Sequence, residues 1–171
     1  MQYLLGDNID ICIATIDDLD KILDFQKGII DRMPHKEFFT PLTNQEFITP
    51  IEGKDNVYLL YYEEEMMGLA VATCDIPDVL AEYDLPDANY MLIDSIMISE
   101  LYRGSKLQQQ LLDYLYNRAY ILDMDYIVAT IHPDNIYSLN SFYNKGYEFL
   151  HVSQLHGGPR CVLVKQVIAK E

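Results

Sequence analysis

The chain has 171 residues and a mass of 19.8 kDa, which fits a single domain spanning residues 1–171. Half of its residues are apolar and only 23% are charged, so it can bury a core, and intrinsic disorder is excluded as its main state. Its formal net charge of −15 repels phosphate backbones, which excludes nucleic acid as a partner bound by bulk electrostatics.

The positive charges are unevenly distributed along the chain. Between Asp55 and Asn117 there are 12 acidic residues and only two cations, Arg103 and Lys106, which flank a glycine and a serine. An isolated cationic pair of this kind is either a local anion site or a chance spacing on a solvated turn. Composition alone leaves both interpretations open.

The cysteines and the apolar runs indicate the compartment. Cys12, Cys74 and Cys161 lie far apart inside apolar runs, without a CxxC or a His/Cys cluster, so we expect buried thiols, a reducing compartment and no metal site. The first ten residues lack the basic region of a secretory signal, and no apolar run approaches the ~18 to 20 residues that span a bilayer. We therefore expect a cytoplasmic protein with no membrane partner.

The first half of the chain is predicted to begin with a strand, Ile9 to Ala14, followed by a helix that Thr15 caps. Apolar residues recur at helical spacing from Leu19 until Pro34. The segment from Pro34 to Asn56 contains further prolines and is predicted to be irregular or short-helical. Two strands joined by a glutamate-rich hairpin turn are predicted next, Val57 to Tyr62 and Met66 to Cys74.

The second half alternates strands with helices. The acidic segment from Asp75 to Asn89 contains two prolines and is predicted to be a loop or a short helix. The later elements are predicted at Tyr90–Ser99 (strand), Leu107–Leu122 (amphipathic helix), Tyr126–Ile131 (strand buried on both faces), Pro133–Lys145 (helix ended by Gly146), Tyr147–Val152 and Cys161–Ile168 (strands). This order predicts an α/β fold with a mixed sheet and helices on both faces.

One stretch carries a recognisable chemistry. Ile96 to Gln108 reads as a strand end, a tight turn containing both cations, and a helix start. Unpaired N–H groups at a helix N-terminus, together with the helix dipole, bind anions such as phosphate or pyrophosphate. Neither GxGxxG nor GxxxxGK[ST] is present. On the motif alone, an ordinary loop with two surface charges explains the pattern equally well.

Over nearly its whole length, and most clearly from Tyr90 to Tyr147, the sequence resembles the GNAT superfamily of acyl-CoA-dependent acyltransferases. The pyrophosphate loop of that family has the form [Q/R]xxGx[G/A], often written YRGxG, and here Tyr102 to Gln108 reads YRGSKLQ. The second family signature, an Asn followed by Ala or Ser and closing with Gly-Phe, resembles Asn135, Ser138, Gly146 and Tyr147.

This resemblance implies a fold, a reaction and a cofactor. The implied fold has a central, mixed and mostly antiparallel sheet of about seven strands, in which the fourth and fifth strands splay apart. The implied reaction is transfer of an acetyl group from acetyl-CoA to a primary amine of a small molecule or peptide, by direct attack in a ternary complex. The implied cofactor-binding residues are Ile96, Met97 and Ile98 on the splayed strand, Arg103, Gly104, Ser105, Lys106, Leu107 and Gln108 at the pyrophosphate, and Asn135, Ser138 and Phe142 on the following elements.

Two departures from the family pattern concern the loop. Positions that are usually small are occupied here by Lys106 and Gln108, and the charge of Lys106 could compensate for the lost close approach. Because a lysine with positive φ would be strained, we expect an ordinary helical conformation at Lys106.

A third departure concerns proton transfer. The family's frequent general-acid tyrosine corresponds to Phe142, which cannot donate a proton, and its neighbour Tyr143 is the candidate acid. The strand position that carries a glutamate base in several members is Leu92 here, so Asp94 on the same strand face is the candidate base. His132 is another candidate base. Structural roles for all three remain open, and a catalytically idle CoA-binding or regulatory module is the alternative function.

The sequence contains few features that indicate which amine would accept the acetyl group. If the acidic segment from Asp75 to Asp87 overhangs the cleft, it would favour a cationic amine, although carboxylates that merely solvate a loop explain it as well. A homodimer through the C-terminal strands is a habit of the family and not something that these residues show.

Overall fold

The computed structural model describes residues 3–4, 9–53, 56–74 and 76–168. Along these residues the strands are β1 (Tyr3–Leu4), β2 (Ile9–Ile13), β3 (Val57–Tyr62), β4 (Glu65–Cys74), β5 (Tyr90–Ile98), β6 (Tyr126–Ile131), β7 (Glu148–Leu155) and β8 (Gly158–Gln166). The α-helices are α1 (Leu19–Arg32), α2 (Asn44–Glu52), α3 (Pro77–Glu82), α4 (Leu107–Ile121) and α5 (Ile136–Asn144).

The chain forms two compact units, and β5 runs from the second into the first. The first unit comprises residues 1–72 and 95–107, and the second comprises residues 73–94 and 108–171. In the first unit, β1, β2, β3 and β4 follow one another in antiparallel pairs. Their core contains Ile22 of α1, Phe47 of α2, Leu59, Leu69 and Met97, all buried. Burial of these side chains holds both helices against the strands.

The second unit contains the mixed part of the sheet. β5 pairs in parallel with β6, and β6, β8 and β7 pair antiparallel in that order. Leu92, Val128 and Val162 pack with Tyr83 on one side, whereas their strand neighbours alternate to the other side and are also buried, as at Met91, Ile127 and Leu163. Burial on both faces confirms the predicted α/β fold with helices on both sides of a mixed sheet.

The parallel pairing of β5 with β6 is short. Its register runs from Tyr90 opposite Tyr126 to Ile93 opposite Ala129, although β5 continues to Ile98 and β6 to Ile131. In the first unit, the end of β5 meets β4 instead, where the Ser99 amide donates to the Met67 carbonyl at 2.8 Å. The resemblance predicted that the fourth and fifth strands splay apart, and with the additional two-residue β1 counted these strands are β5 and β6.

Most element boundaries agree with the sequence within a few residues, and the exceptions have local causes. The second helix of the C-terminal half begins at Ile136 rather than Pro133, because Asn135 is its N-cap. It ends as predicted before Gly146, whose φ of 81° supplies the left-handed stop. The irregular segment contains α2, which the Thr43–Glu46 capping box starts.

The cysteines are free thiols, as expected, but only Cys161 is buried. Cys12 and Cys74 lie near strand ends and are half-buried, so the expectation of burial was wrong for these two. An apolar run predicts a strand well, but the exposure of a residue depends on its distance from the end of that strand.

Gly68 is the point where β4 approaches β5 most closely. A Cβ there would stand 2.8 Å from the Met97 carbonyl oxygen and 2.7 Å from Ile98 Cδ1. Gly68→Ala should therefore lower the free energy of unfolding in urea by about 1–3 kcal/mol, the usual cost of overpacking. Gly28→Ala is the matched control, because its nearest neighbour is only the flexible Arg32 guanidinium, at 3.2 Å. The control should be neutral or stabilising. If Gly68→Ala were as stable as the wild type, Met97 and Ile98 would be able to move away from the added methyl group without a cost in free energy.

Candidate functional site

The turn after β5 presents its side chains to solvent. A short 3₁₀ helix, Glu100–Tyr102, follows Ser99, whose hydroxyl accepts from the Leu101 amide at 3.4 Å. Arg103, Gly104, Ser105 and Lys106 come next and are all exposed, and α4 begins at Leu107. Because α4 has 15 residues and its first-turn amides have no acceptor within the helix, its start offers donors and a positive dipole end.

The backbone of this turn corrects the expectation for Lys106. Its φ is 63°, in the left-handed region, and Gly104 also has a positive φ of 81°. Ser105 lies between them with a negative φ, and both its amide and its hydroxyl donate to the Tyr102 carbonyl. These bonds fix the turn, and the exposed lysine side chain meets no crowding that would add to the cost of about 1–2 kcal/mol of a left-handed residue. The expected helical conformation at Lys106 was therefore wrong.

Alternation of negative and positive φ has a chemical consequence. Successive amides in such a conformation converge on a common concavity that binds anions. A Cβ placed on Gly104 would find no heavy atom within 4 Å, so the glycine serves the backbone conformation and the space in front of the turn is open. Backbone donors, an open approach and two cationic side chains suit a phosphate group.

A third cation lies near the turn, and sequence reasoning missed it. Arg32, the last residue of α1, forms an ion pair with Glu100. The pKa of the Glu100 carboxyl is lowered, first by a backbone hydrogen bond, then by its bond to Arg32 and by the charges of Arg32 and Arg103. Arg32 is remote in sequence from the turn, so no local pattern could have identified it.

In the second unit, three of the predicted cofactor residues come together at the start of α5. The Asn135 side chain accepts from the Ser138 amide at 3.3 Å as the N-cap of α5. The Ser138 hydroxyl accepts from Gln108 Nε2 at 2.9 Å, so Gln108 is tied to this helix start. The His132 ring accepts from the Asp134 amide at 3.2 Å, which engages this candidate base in the local turn.

The two aromatic candidates on α5 lie in opposite environments. Phe142 is 3% exposed and packs edge-on against Tyr147, with ring centroids 4.8 Å apart. Tyr143 is 43% exposed, as expected for the neighbouring residue on a helix. The position that the resemblance assigns to a general acid therefore holds a buried apolar ring, while the phenol next to it faces outward.

Asp94 and Ser95 follow the last paired residue of β5 and differ in burial. Asp94 is exposed and accepts from the Thr73 hydroxyl at 2.8 Å. Ser95 is buried, and its hydroxyl has no hydrogen-bond partner among the residues that the structure describes. An orphaned buried hydroxyl is uncommon and calls for a partner such as water or a ligand. Ile96 and Ile98 are half-buried and Met97 is buried on the remainder of the strand.

Sequence reasoning also missed a polar cluster in the second unit. Tyr83, in the acidic segment after α3, is buried and lies with its hydroxyl 3.5 Å from His156 Nε2. Burial is the largest cause that raises the pKa of Tyr83 to about 12, and the charge of Asp94 is the next. A tyrosine in an acidic, proline-containing segment gives no sequence signal, because such segments are usually solvated.

Across residues 3–4, 9–53, 56–74 and 76–168, no group of three His, Cys, Asp or Glu side chains is placed to hold a metal ion. Within the same ranges, none of the helices combines the length and the apolar character that a bilayer span requires.

Neither a family model nor a curated protein matches this chain, but solved structures do. A GNAT family acetyltransferase from Listeria monocytogenes superposes with a TM-score of 0.78, at 14% identity, over 97% of this chain and 99% of that chain. YncA from Salmonella typhimurium, solved with its cofactor acetyl-CoA, gives 0.72 at 14% identity and covers 95% of each chain.

A plant structure superposes almost as well. Arabidopsis thaliana Naa50, solved with the bisubstrate analogue CoA-Ac-MVNAL, gives a TM-score of 0.71 at 13% identity over 94% of this chain and 99% of that chain. At such low identities these similarities establish the fold, and the chain has the GNAT fold that its motifs predicted.

The positive φ of Lys106 leads to a prediction about the stability of the protein. Lys106→Gly should raise the free energy of unfolding by about 0.5–1 kcal/mol, because relief of the left-handed cost exceeds the entropy that glycine loses on folding. Ser105→Gly, in the same turn but at negative φ, should instead be neutral or destabilising. Urea unfolding of both variants checks this, and equal losses would show that Lys106 is not left-handed in solution.

Proposed function

We propose that this chain is an acetyl-CoA-dependent N-acetyltransferase of the GNAT superfamily, with residues 1–171 acting as one catalytic domain. The observation that carries the proposal is the exposed Arg103–Lys106 turn, with positive φ at Gly104 and Lys106, at the start of α4. The family motifs occur in their expected order around it, and chains of the same fold have been solved with acetyl-CoA or a CoA analogue. Three free cysteines are consistent with the cytoplasm, where we expect it to act.

The described residues fit the cofactor's phosphates. Arg103 and Lys106 would supply charge, while the amides of the first residues of α4 would supply hydrogen bonds to pyrophosphate oxygens. The Arg103 and Ser105 amides already donate to the Glu100 and Tyr102 carbonyls and would hold the turn in shape. Gly104 leaves the approach open. Asn135, Ser138 and Gln108, already linked to one another, would contact the pantetheine arm, and the buried Phe142 would support α5 from the core. When bound, the cofactor supplies an activated acetyl thioester.

The protein's own chemistry would reside on β5. Amides of Ile96, Met97 and Ile98 follow the residue where pairing with β6 ends, and an amide that no ladder engages can donate to a developing oxyanion. Asp94 would accept the acceptor's proton directly or through water, since an alkylamine with a pKa of ~10.4 is protonated at neutral pH. Tyr143, exposed on α5, is the phenol available to protonate the leaving thiolate.

The acceptor would be a primary amine of a small molecule or a peptide. The Naa50 structure contains an analogue that joins CoA to a peptide, which supports a peptide amine as one class. The negative charge of the chain favours a cationic acceptor over an anionic one.

A catalytically idle CoA-binding module is the second candidate. The burial of Phe142 against Tyr147 favours it, because this ring occupies the family's usual acid position and cannot exchange a proton. Such a module would bind CoA with the same turn and would release no thiol.

Turnover distinguishes the two candidates. Protein mixed with acetyl-CoA and a panel of primary amines should release free CoA thiol, and Asp94→Asn should lower the rate at least ~10²-fold through loss of its proton acceptor. CoA affinity, measured by calorimetry, should be unchanged in this variant. Tight CoA binding without thiol release on any amine would favour the idle module.

The anion site is tested through affinity. The double variant Arg103→Ala/Lys106→Ala should weaken CoA binding about tenfold or more, because each charged hydrogen bond to phosphate is worth more than a neutral one. Lys21→Ala/Lys27→Ala, on the exposed face of α1, is the control with the same change of net charge. Equal affinity in both double variants would refute a phosphate site at this turn.

A further inference from the structure

The polar cluster around Tyr83 lies entirely within the second unit and begins with a helix end. Tyr83 is the last residue before a left-handed turn at Asp84, whose φ is 52°. The Leu85 amide donates to the Leu80 carbonyl at 2.8 Å and the Asp84 amide to the Ala81 carbonyl at 3.3 Å, which is the hydrogen-bond pattern of a Schellman cap. This cap fixes the direction in which Tyr83 leaves the helix.

Core packing then holds the Tyr83 ring. Tyr83 is 4% exposed and belongs to one buried cluster with Leu92 of β5, Val128 of β6 and Leu155 of β7. In each of these strands the chain continues from the core residue to a polar one. Asp94 and Thr130 lie two residues beyond Leu92 and Val128, and therefore on the same strand faces, and His156 directly follows Leu155.

Four polar side chains consequently lie at the edge of this core. The Tyr83 hydroxyl lies 3.5 Å from His156 Nε2, and the Thr130 side chain is near enough to lower the pKa of Tyr83, against the larger effect of burial. Asp94 is held by the Thr73 hydroxyl at 2.8 Å. Asp94 and Thr130 are the first polar residues after the β5–β6 register ends at Ile93 and Ala129.

The charge of this cluster is negative. From residue 73 to residue 94 the chain contains six carboxylates and no lysine or arginine. Both Asp94 and Glu82 raise the pKa of Tyr83, after burial, to about 12, so Tyr83 stays a neutral phenol at physiological pH and Asp94 supplies the charge. A carboxylate beside neutral hydroxyls, backed by an apolar core that lowers the local dielectric, suits an alkylammonium group with its three N–H donors.

We propose that Asp94, Tyr83, Thr130 and His156 form a binding subsite for the ammonium group of a cationic alkylamine, in which Asp94 contacts the ammonium and Tyr83 is a positioning residue. Tyr83 acts by presenting its hydroxyl to His156 in the β7–β8 turn, beside Thr130 at the end of β6. The inference rests on the proposed acetyltransferase function for the identity of the alkylamine as the acceptor, but binding of the amine can be measured without turnover.

The experiment compares two probes that differ in charge and little in shape, 1,4-diaminobutane and 1,4-butanediol. Thermal unfolding of the full chain is followed with each probe, in the presence and absence of CoA, because a ligand of the native state raises the unfolding temperature. The diamine should raise it and the diol should not. An equal effect of both probes, or no effect of the diamine, would overturn the subsite.

Substitutions test how Asp94 and Tyr83 contribute to binding of the diamine. Asp94→Asn should weaken diamine binding about tenfold or more, since it removes the carboxylate charge that would contact the ammonium group. Tyr83→Phe should weaken it about three- to tenfold while leaving CoA affinity unchanged, a pattern that a general loss of packing would not produce. Tyr90→Phe is the matched control, because Tyr90 is a buried tyrosine of the same cluster, stacked on Tyr126. It should bind the diamine as the wild type does.

Further outcomes separate the two proposals. If Tyr83→Phe fails to fold, Thr130→Val removes the Thr130 hydroxyl of the subsite with little change of shape and should weaken diamine binding similarly. Wild-type diamine affinity in Asp94→Asn would refute the subsite while leaving CoA binding intact. Diamine binding that follows these expectations in a protein that does not bind CoA would uphold the subsite and refute the acetyltransferase function.

Discussion

The early end of the pairing between β5 and β6 is the constraint on which the candidate site depends. A strand in the middle of a sheet normally commits its amides to both neighbours, and buried amides without partners are costly. After Ile93 the register with β6 stops, while the end of β5 is held by the Ser99–Met67 hydrogen bond and by the close approach at Gly68. The strand can therefore lose the ladder bonds on its β6 side and stay in place, and beyond Ile93 the amides that face this side are no longer committed to the register with β6.

Two polar sites of opposite charge follow from the same strand. At its carboxyl end, the turn and the start of α4 gather backbone donors and the cations Arg103 and Lys106, with Arg32 held nearby by Glu100. At the residue where pairing stops, Asp94 carries a negative charge beside the Tyr83 cluster. In a chain with a net charge of −15, the positive site is a local feature and the negative one agrees with the average field.

The distribution of hydroxyl groups bears on how protons could move. Phe142, at the position that the resemblance assigns to a general acid, is buried, and Tyr83, raised in pKa by burial and by Asp94, holds its proton too firmly to serve as a base at neutral pH. Asp94 and Tyr143 are the exposed candidates. The proposed cofactor surface depends on backbone conformation and the proposed proton transfer on a few side chains, so substitutions can test the two separately.

Much of the fold was determined by the sequence alone. Hydrophobic periodicity placed the strands and helices, Gly146 fixed a helix end, and the order of elements together with the YRGSKLQ and Asn135 motifs indicated the GNAT fold. The same motifs predict that the turn before α4 binds an anion. Local patterns suffice for these features because they arise from interactions within a few residues along the chain.

The left-handed Lys106 was missed because its strain is outweighed by hydrogen bonds of the turn, which propensity does not encode. Arg32, the Gly68 contact and the cluster of Tyr83 with Thr130, Asp94 and His156 were decided only by the tertiary structure, since each joins residues remote in sequence that meet when the strands pair and the core packs.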